Sequence, residues 1–257
     1  MLLTQAQAER MLASLPGTVG LYCRDLDSGE TIQVNAGTSV EAASVIKLQV
    51  MAEAFRQRAE GMLDFERPVT VRPEDRLPSC GALTYLHEGV TLPVRDLVTL
   101  MIILSDNTAT NLLIDILGIE NIRQNILRLN MAGTALNRKL FMPELARRGI
   151  RNEITAGDCG RLLEKLYRGE VVDAESSAEM LRILGDQRLN GKIPFHLHSR
   201  GIRCAHKTGE DDGITHDVGI IWAKTPRLFC FVSERTDVPR AERVLQDMAA
   251  LCADVEV

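Results

Sequence analysis

The sequence predicts an α+β fold in which one antiparallel sheet is built from both chain ends, flanked by terminal helices, with an all-helical lobe inserted between them. Three observations carry this. Period-two, strand-like runs occur near residues 18–35 and 202–234 only. Helical periodicity dominates the stretch between them. An amphipathic segment closes each end of the chain. Elements of both kinds, segregated along the chain, bury their apolar faces most simply as helices packed on a sheet with a helical layer beside it. We expect one domain over 1–257, with 1–39 and 190–257 forming the α/β lobe and 40–189 the helical lobe.

The first helix runs from about Thr4, a good N-cap residue, to Ser14. Apolar residues then alternate in TVGLYCRDL. The turn Asp27-Ser28-Gly29 leads into ETIQVN, which predicts a β-hairpin. In the middle, VRDLVTLMIILSD, NTATNLLIDILG, AGDCGRLLEKLYRG and SSAEMLRILGD are the clearest helical segments. Near the far end IRCAHKT, DVGIIWA and RLFCFVSE read as strands, the last two joined by a turn at Lys224-Thr225-Pro226-Arg227. Val244, Leu245, Met248 and Leu251 then recur at helical spacing in a closing helix from about Arg240 to Ala253.

Composition narrows the function. Hydrophobic residues at 45% and charged residues at 25% give the balance of a water-soluble globular chain. A net charge of −5 with no basic stripe gives no reason to expect nucleic acid as a partner. No apolar run is long enough to span a bilayer. Glu9 and Arg10 interrupt the N-terminal segment, so it reads as an amphipathic helix and not as an export signal. The expected location is therefore the cytoplasm, or outside it if a signal has been removed. The six cysteines, Cys23, Cys80, Cys159, Cys204, Cys230 and Cys252, show no metal spacing and are expected as reduced thiols.

Three short motifs carry chemistry. In Ser44-Val45-Ile46-Lys47, entering a helix, positions i and i+3 share a face, so the amine lies beside the hydroxyl. Serine is a weak nucleophile until a base takes its proton. A lysine can be that base where burial or nearby positive charge lowers its pKa. Ser105-Asp106-Asn107 sits between two helices, where Ser or Asp can also act simply as a cap. Lys207-Thr208-Gly209 ends a strand. A lysine and a hydroxyl there, followed by a glycine that lets a ligand approach the backbone, make a ledge for a carboxylate. Each motif alone is ordinary; their conjunction in this order is not.

S-x-x-K, S-D-N and K-T-G, with Ser44 and Ser105 61 positions apart and Ser105 and Lys207 102 apart, resemble the class A β-lactamases and the related penicillin-binding proteins. The stretches LMIILSDNTATNLLID and HKTGEDDG add to the resemblance, which covers essentially the whole chain. It implies a β-lactamase/transpeptidase-like fold. It also implies that Ser44 is acylated, that Lys47 activates it and that Ser105 passes a proton to the departing nitrogen. Asn107 would hold the substrate's side-chain amide, and Lys207 and Thr208, with Gly209 beside them, its carboxylate. The N–H groups of Ser44 and Glu210 would form the oxyanion hole. Such a mechanism calls for no cofactor and no metal. The implied partner is a small carboxylate-bearing molecule, a β-lactam; oligomeric state is left open.

One departure stands out. The E-x-x-L-N segment that supplies the deacylating glutamate in this family has no full match. Met142-Pro143-Glu144-Leu145-Ala146 resembles it in part, with Met142 in the glutamate's place and Ala146 in the asparagine's. Glu144 is the nearest carboxylate and the candidate base, and it reads equally as a surface residue. Three functions follow: a β-lactamase, a Ser/Lys esterase or peptidase acting on another acyl donor inside the cell, and a β-lactam-binding module that deacylates slowly. His196 and His198 have no third ligand at a recognisable spacing and are expected as loop residues. His206 and His216 are expected to line the cleft or to cap strand ends.

Overall fold

The computed structural model describes residues 1–78 and 80–257. In chain order the helices are α1 (Gln5–Ala13), α2 (Lys47–Ala59), α3 (Val94–Ile103), α4 (Asn107–Leu117), α5 (Ile119–Arg128), α6 (Pro143–Arg147), α7 (Ala156–Tyr167), α8 (Ala174–Gly185) and α9 (Val238–Cys252). The strands are β1 (Thr18–Asp25), β2 (Thr31–Val34), β3 (Val40–Glu41), β4 (Pro68–Thr70), β5 (Thr91–Pro93), β6 (Glu153–Ile154), β7 (Arg203–Asp211), β8 (Ile214–Trp222) and β9 (Pro226–Glu234). A sheet of order β2-β1-β9-β8-β7, antiparallel throughout, joins the two chain ends as the alternation required.

Alternation along β9 shows how the layers form. Phe229 and Phe231 pack with Leu12, Leu245 and Met248 of the terminal helices. Leu228, Cys230 and Val232 point the other way, into the core of the helical lobe. The sheet thus separates two apolar clusters. Thr4 caps α1 as expected, within a capping box shared with Gln7.

Several elements go beyond the sequence reading. The helix expected to stop at Gly118 is followed at once by α5, because Gly118 takes φ 82° and turns the chain. The turn after β8 falls at 223–225, so Pro226 and Arg227 already belong to β9. The short ribbons β3–β6 and β4–β5 carry no periodicity of their own. Among the described residues no helix is long and apolar enough to cross a membrane.

One buried histidine fastens the backbone just before Ser44 to the sheet. His216, on β8, donates from Nε2 to the Glu41 carbonyl at 2.9 Å and accepts the Ser233 N–H at Nδ1 at 3.0 Å. The ring is therefore neutral, and burial lowers its pKa to about 4. His206 instead pairs with Asp217, at 2.8 Å. Neither histidine lines the cleft. His196 lies in the loop before β7 and meets Asp247 at 3.2 Å. No group of three or more metal-ligating side chains occurs among the described residues.

An unfolded histidine binds its proton near pH 6.5, and His216 resists doing so until about pH 4. Its contribution is therefore complete above pH 6.5 and is lost as the pH falls towards 4, on the order of 3 kcal/mol across that window. Urea unfolding between pH 7 and 4.5 should show this loss, and His216→Gln should flatten it; equal slopes for both proteins would contradict the assignment.

Candidate active site

Ser44 lies in a single 3-10 turn, Ala43–Ile46, that leads directly into α2. Lys47 is the first residue of that helix. The expected i, i+3 neighbourhood is met: Lys47 Nζ is 2.9 Å from Ser44 Oγ. Three further oxygens surround the amine, Ser105 O at 2.8 Å, Ser105 Oγ at 3.0 Å and Asn107 Oδ1 at 2.8 Å. The Ser105 carbonyl and the Asn107 carbonyl can only accept. A neutral amine satisfies both with its two hydrogens and keeps its lone pair for a hydroxyl. Lys47 is fully buried, and burial, reinforced by the Lys207 ammonium, holds it well below the ordinary lysine value.

Lys207 completes the group from β7, with Nζ 3.0 Å from Ser105 Oγ and 2.8 Å from the Thr208 carbonyl. It too is fully buried. Burial pulls its pKa down to about 7, against the opposing pull of Asp217 and with help from Lys192. Ser105 Oγ thus sits between two lysine amines. Ser105 itself adopts φ 53°, a left-handed conformation that few non-glycine residues take.

The loop that places Ser105 is built by Asp106. Its carboxylate caps α4 through the Ala109 N–H at 2.9 Å and accepts from the N–H groups of Ala82 and Leu83 at 2.7 and 2.9 Å. Of the two capping candidates in Ser-Asp-Asn, the cap is the aspartate, which leaves the serine to the site.

Ser44, Ser105, Asn107, Thr208 and Glu210 line one cleft of about 620 Å³. Gly209 does not line it. A Cβ at Gly209 would come within 2.9 Å of His216 and 3.1 Å of Val45, so this glycine lets β7 approach the Ala43–Ile46 turn rather than a ligand. Ser44 and Glu210, the residues expected to supply the oxyanion N–H groups, meet in the same cleft.

The structure does not bring Glu144 into this group. It is exposed on α6, while Leu140, Phe141, Met142, Pro143 and Ala146 line the cleft from that loop. All five are apolar. The carboxylates lining the cleft are Glu41, Glu210 and Asp211. Glu41 is engaged by Arg138 at 3.2 Å and Arg151 at 3.3 Å, and Glu210 by Lys192 at 3.0 Å. Burial raises Glu41 above the ordinary carboxylate value, against the pull of the two arginines.

Sequence reasoning missed Lys192, whose buried amine also meets the carbonyls of Gly209 at 3.2 Å and His216 at 3.3 Å. It missed the His206–Asp217 pair as well, which depends on the β7–β8 register that sets Thr208 opposite Asp217. Glu41, Arg138, Asn152 and Cys80 in the cleft wall carried no signal.

With Ser105 bridging two amines, removal of its hydroxyl should take one oxygen partner from each and break the link between them. Ser105→Ala should keep the fold, by circular dichroism and melting, and slow acylation of Ser44 by about a hundredfold or more. Acylation within a few-fold of the wild-type rate would contradict this reading of the site.

Comparisons with known proteins place the chain in a family. Residues 3–255 match the family model described as the beta-lactamase enzyme family. Beta-lactamase 3 of Bacillus cereus is 26% identical over 219 residues, covering 79% of this chain; the match spans 65% of that protein's length. Beta-lactamase VEB-1 of Pseudomonas aeruginosa is 23% identical over 95% of this chain and 87% of its own. Among solved structures, a beta-lactamase from Sphaerobacter thermophilus is 30% identical with a TM-score of 0.87, covering 96% of this chain and 94% of that one. PBP-A is 27% identical with a TM-score of 0.88, covering 97% and 94%; one structure of a PBP-A variant is an acyl-enzyme complex with penicillin G. The chain belongs to the beta-lactamase enzyme family.

Proposed function

We propose that this protein opens the β-lactam amide of carboxylate-bearing drugs through an acyl-enzyme on Ser44, and that it releases the product slowly. The observation that carries the first half is the 2.9 Å contact between Lys47 Nζ and Ser44 Oγ inside a set of acceptors that favours the neutral amine. Lys47 takes the Ser44 proton as Oγ attacks the carbonyl carbon. The oxyanion is held by the N–H groups of Ser44 and Glu210. The proton then passes through Ser105 Oγ to the departing ring nitrogen. Thr208 and Lys207 receive the carboxylate, whose negative charge favours the charged form of Lys207 on binding. Asn107 orients the acyl amide.

The second half rests on what the loop presents. Hydrolysis of the ester needs a base over the acyl carbon, and a positioned general base contributes about 10²–10⁴-fold. Here the loop offers Met142 and Ala146, and Glu144 lies outside the cleft. We therefore assign acylation to the Ser44–Lys47–Ser105–Lys207 group and assign no turnover step to Glu144. This favours a slowly deacylating enzyme over an efficient β-lactamase.

Intact-protein mass after mixing with excess benzylpenicillin tests both halves. The wild type should gain one drug mass and hold it well after acylation is complete, and Ser44→Ala should gain none. Glu144→Gln should leave the adduct lifetime unchanged, while Met142→Glu should shorten it by about tenfold or more. No mass gain would end the β-lactam reading, and rapid clearing in the wild type would end the claim of slow release.

A further inference from the structure

Phe141 lies in the cleft wall in a conformation that aromatic residues rarely adopt. Its φ is 57°. Left-handed backbone suits glycine, and asparagine or aspartate tolerate it; a bulky residue there is an outlier. Such conformations persist where the surroundings over-determine them, and they cluster at functional sites. Two other non-glycine residues with positive φ, Ala43 at 41° and Ser105 at 53°, line the same cleft. Both belong to segments that carry the reacting groups.

The chain fixes Phe141 from both sides. The Asn111 side chain, on α4, accepts the Leu140 N–H at 2.9 Å and donates to the Leu140 carbonyl at 3.0 Å, which pins both backbone groups of the preceding residue. Pro143 restricts the chain two residues on. The outcome is an aromatic side chain left 45% exposed beside Met142, 37% exposed, two neighbouring apolar groups on the cleft wall. Leu189 also lines the cleft. Arg138, a cation lining the same cleft, is already paired with Glu41.

We propose that Phe141 is a specificity-determining residue that receives a flat apolar group, an aryl ring, on the acyl side of the substrate. The assignment rests on the function proposed above, which fixes the substrate at two points. Its carbonyl carbon meets Ser44, and its carboxylate meets Lys207 and Thr208 on β7. Asn107 and the 140–146 wall line the same cleft as Ser44, so the wall is within the space open to the acyl side chain. Covering Phe141 and Met142 with an aryl ring removes apolar surface from water and stacks ring on ring.

Two acyl series test this: penicillins of one nucleus carrying a phenylacetyl or an acetyl side chain, and the p-nitrophenyl esters of the same two acids, each ester rate divided by its rate in buffer. The readout is the ratio of second-order rates of Ser44 acylation, phenylacetyl over acetyl, which normalises each variant to itself. The wild-type ratio should be about ten or more. Phe141→Asn, which suits the backbone and removes the ring, should bring it close to one without lowering the melting temperature. Phe141→Leu should retain part of it. A wild-type ratio near one, or a ratio that survives Phe141→Asn, would overturn the proposal. If esters acylate Ser44 and penicillins do not, the β-lactam reading fails and the ester ratio still decides this one. If neither series acylates Ser44, both fall.

Discussion

Two buried lysine amines share one hydroxyl at the base of the cleft, and the rest of the site is arranged around that constraint. Lys47 and Lys207 each place Nζ 3.0 Å from Ser105 Oγ, and each is fully buried. Two ammonium ions that close together in a low-dielectric interior repel strongly, and burial penalises each one further. The pair sheds a proton at a pH where exposed lysines keep theirs. A neutral amine against Ser44 is the consequence, and it is what the proposed role of Ser44 as nucleophile needs.

The surrounding residues hold that pair in place. Asp106 caps α4 and gathers the 82–83 backbone, which fixes Ser105 in its left-handed conformation. Lys192, buried behind β7, bonds to the Gly209 carbonyl and adds positive charge near Lys207. Asp217, held by His206 and by the Ile193 N–H, opposes that charge. On the other side His216 and Glu234 bind the backbone of Glu41, three residues before Ser44. Glu41 also pairs with Arg138 and Arg151, so the loop lining the cleft is tied to the segment that carries Ser44.

Much of this was legible in the chain. Alternation in RLFCFVSE and DVGIIWA gave the central strands, and Ser44, Lys47, Ser105, Asn107, Lys207, Thr208 and Glu210 converge as their motifs implied. What escaped depends on tertiary placement. Lys192 lies in a loop without periodicity, and its burial comes from β7 and β8 passing over it. The His206–Asp217 pair is a product of strand register. Gly209 looked like a ligand-facing glycine, and it is the packing against Val45 and His216 that requires it. Glu144 was the nearest carboxylate to a partly matching family segment whose glutamate position is held by Met142, and five apolar residues from 140–146 line the wall instead. Spacing locates a residue on an element; it does not decide which side of a short helix faces the cleft.

The most direct measurement is a titration of the two buried amines by nitrogen-detected NMR of the lysine Nζ groups, with Lys47→Met and Lys207→Met to assign them. The account predicts that the pair loses one proton well below the pH at which ordinary lysines do, and that Lys207→Met raises the remaining Lys47 value as its charged neighbour disappears. If both amines stay charged to pH 10 in the folded protein, Lys47 cannot serve as the base for Ser44.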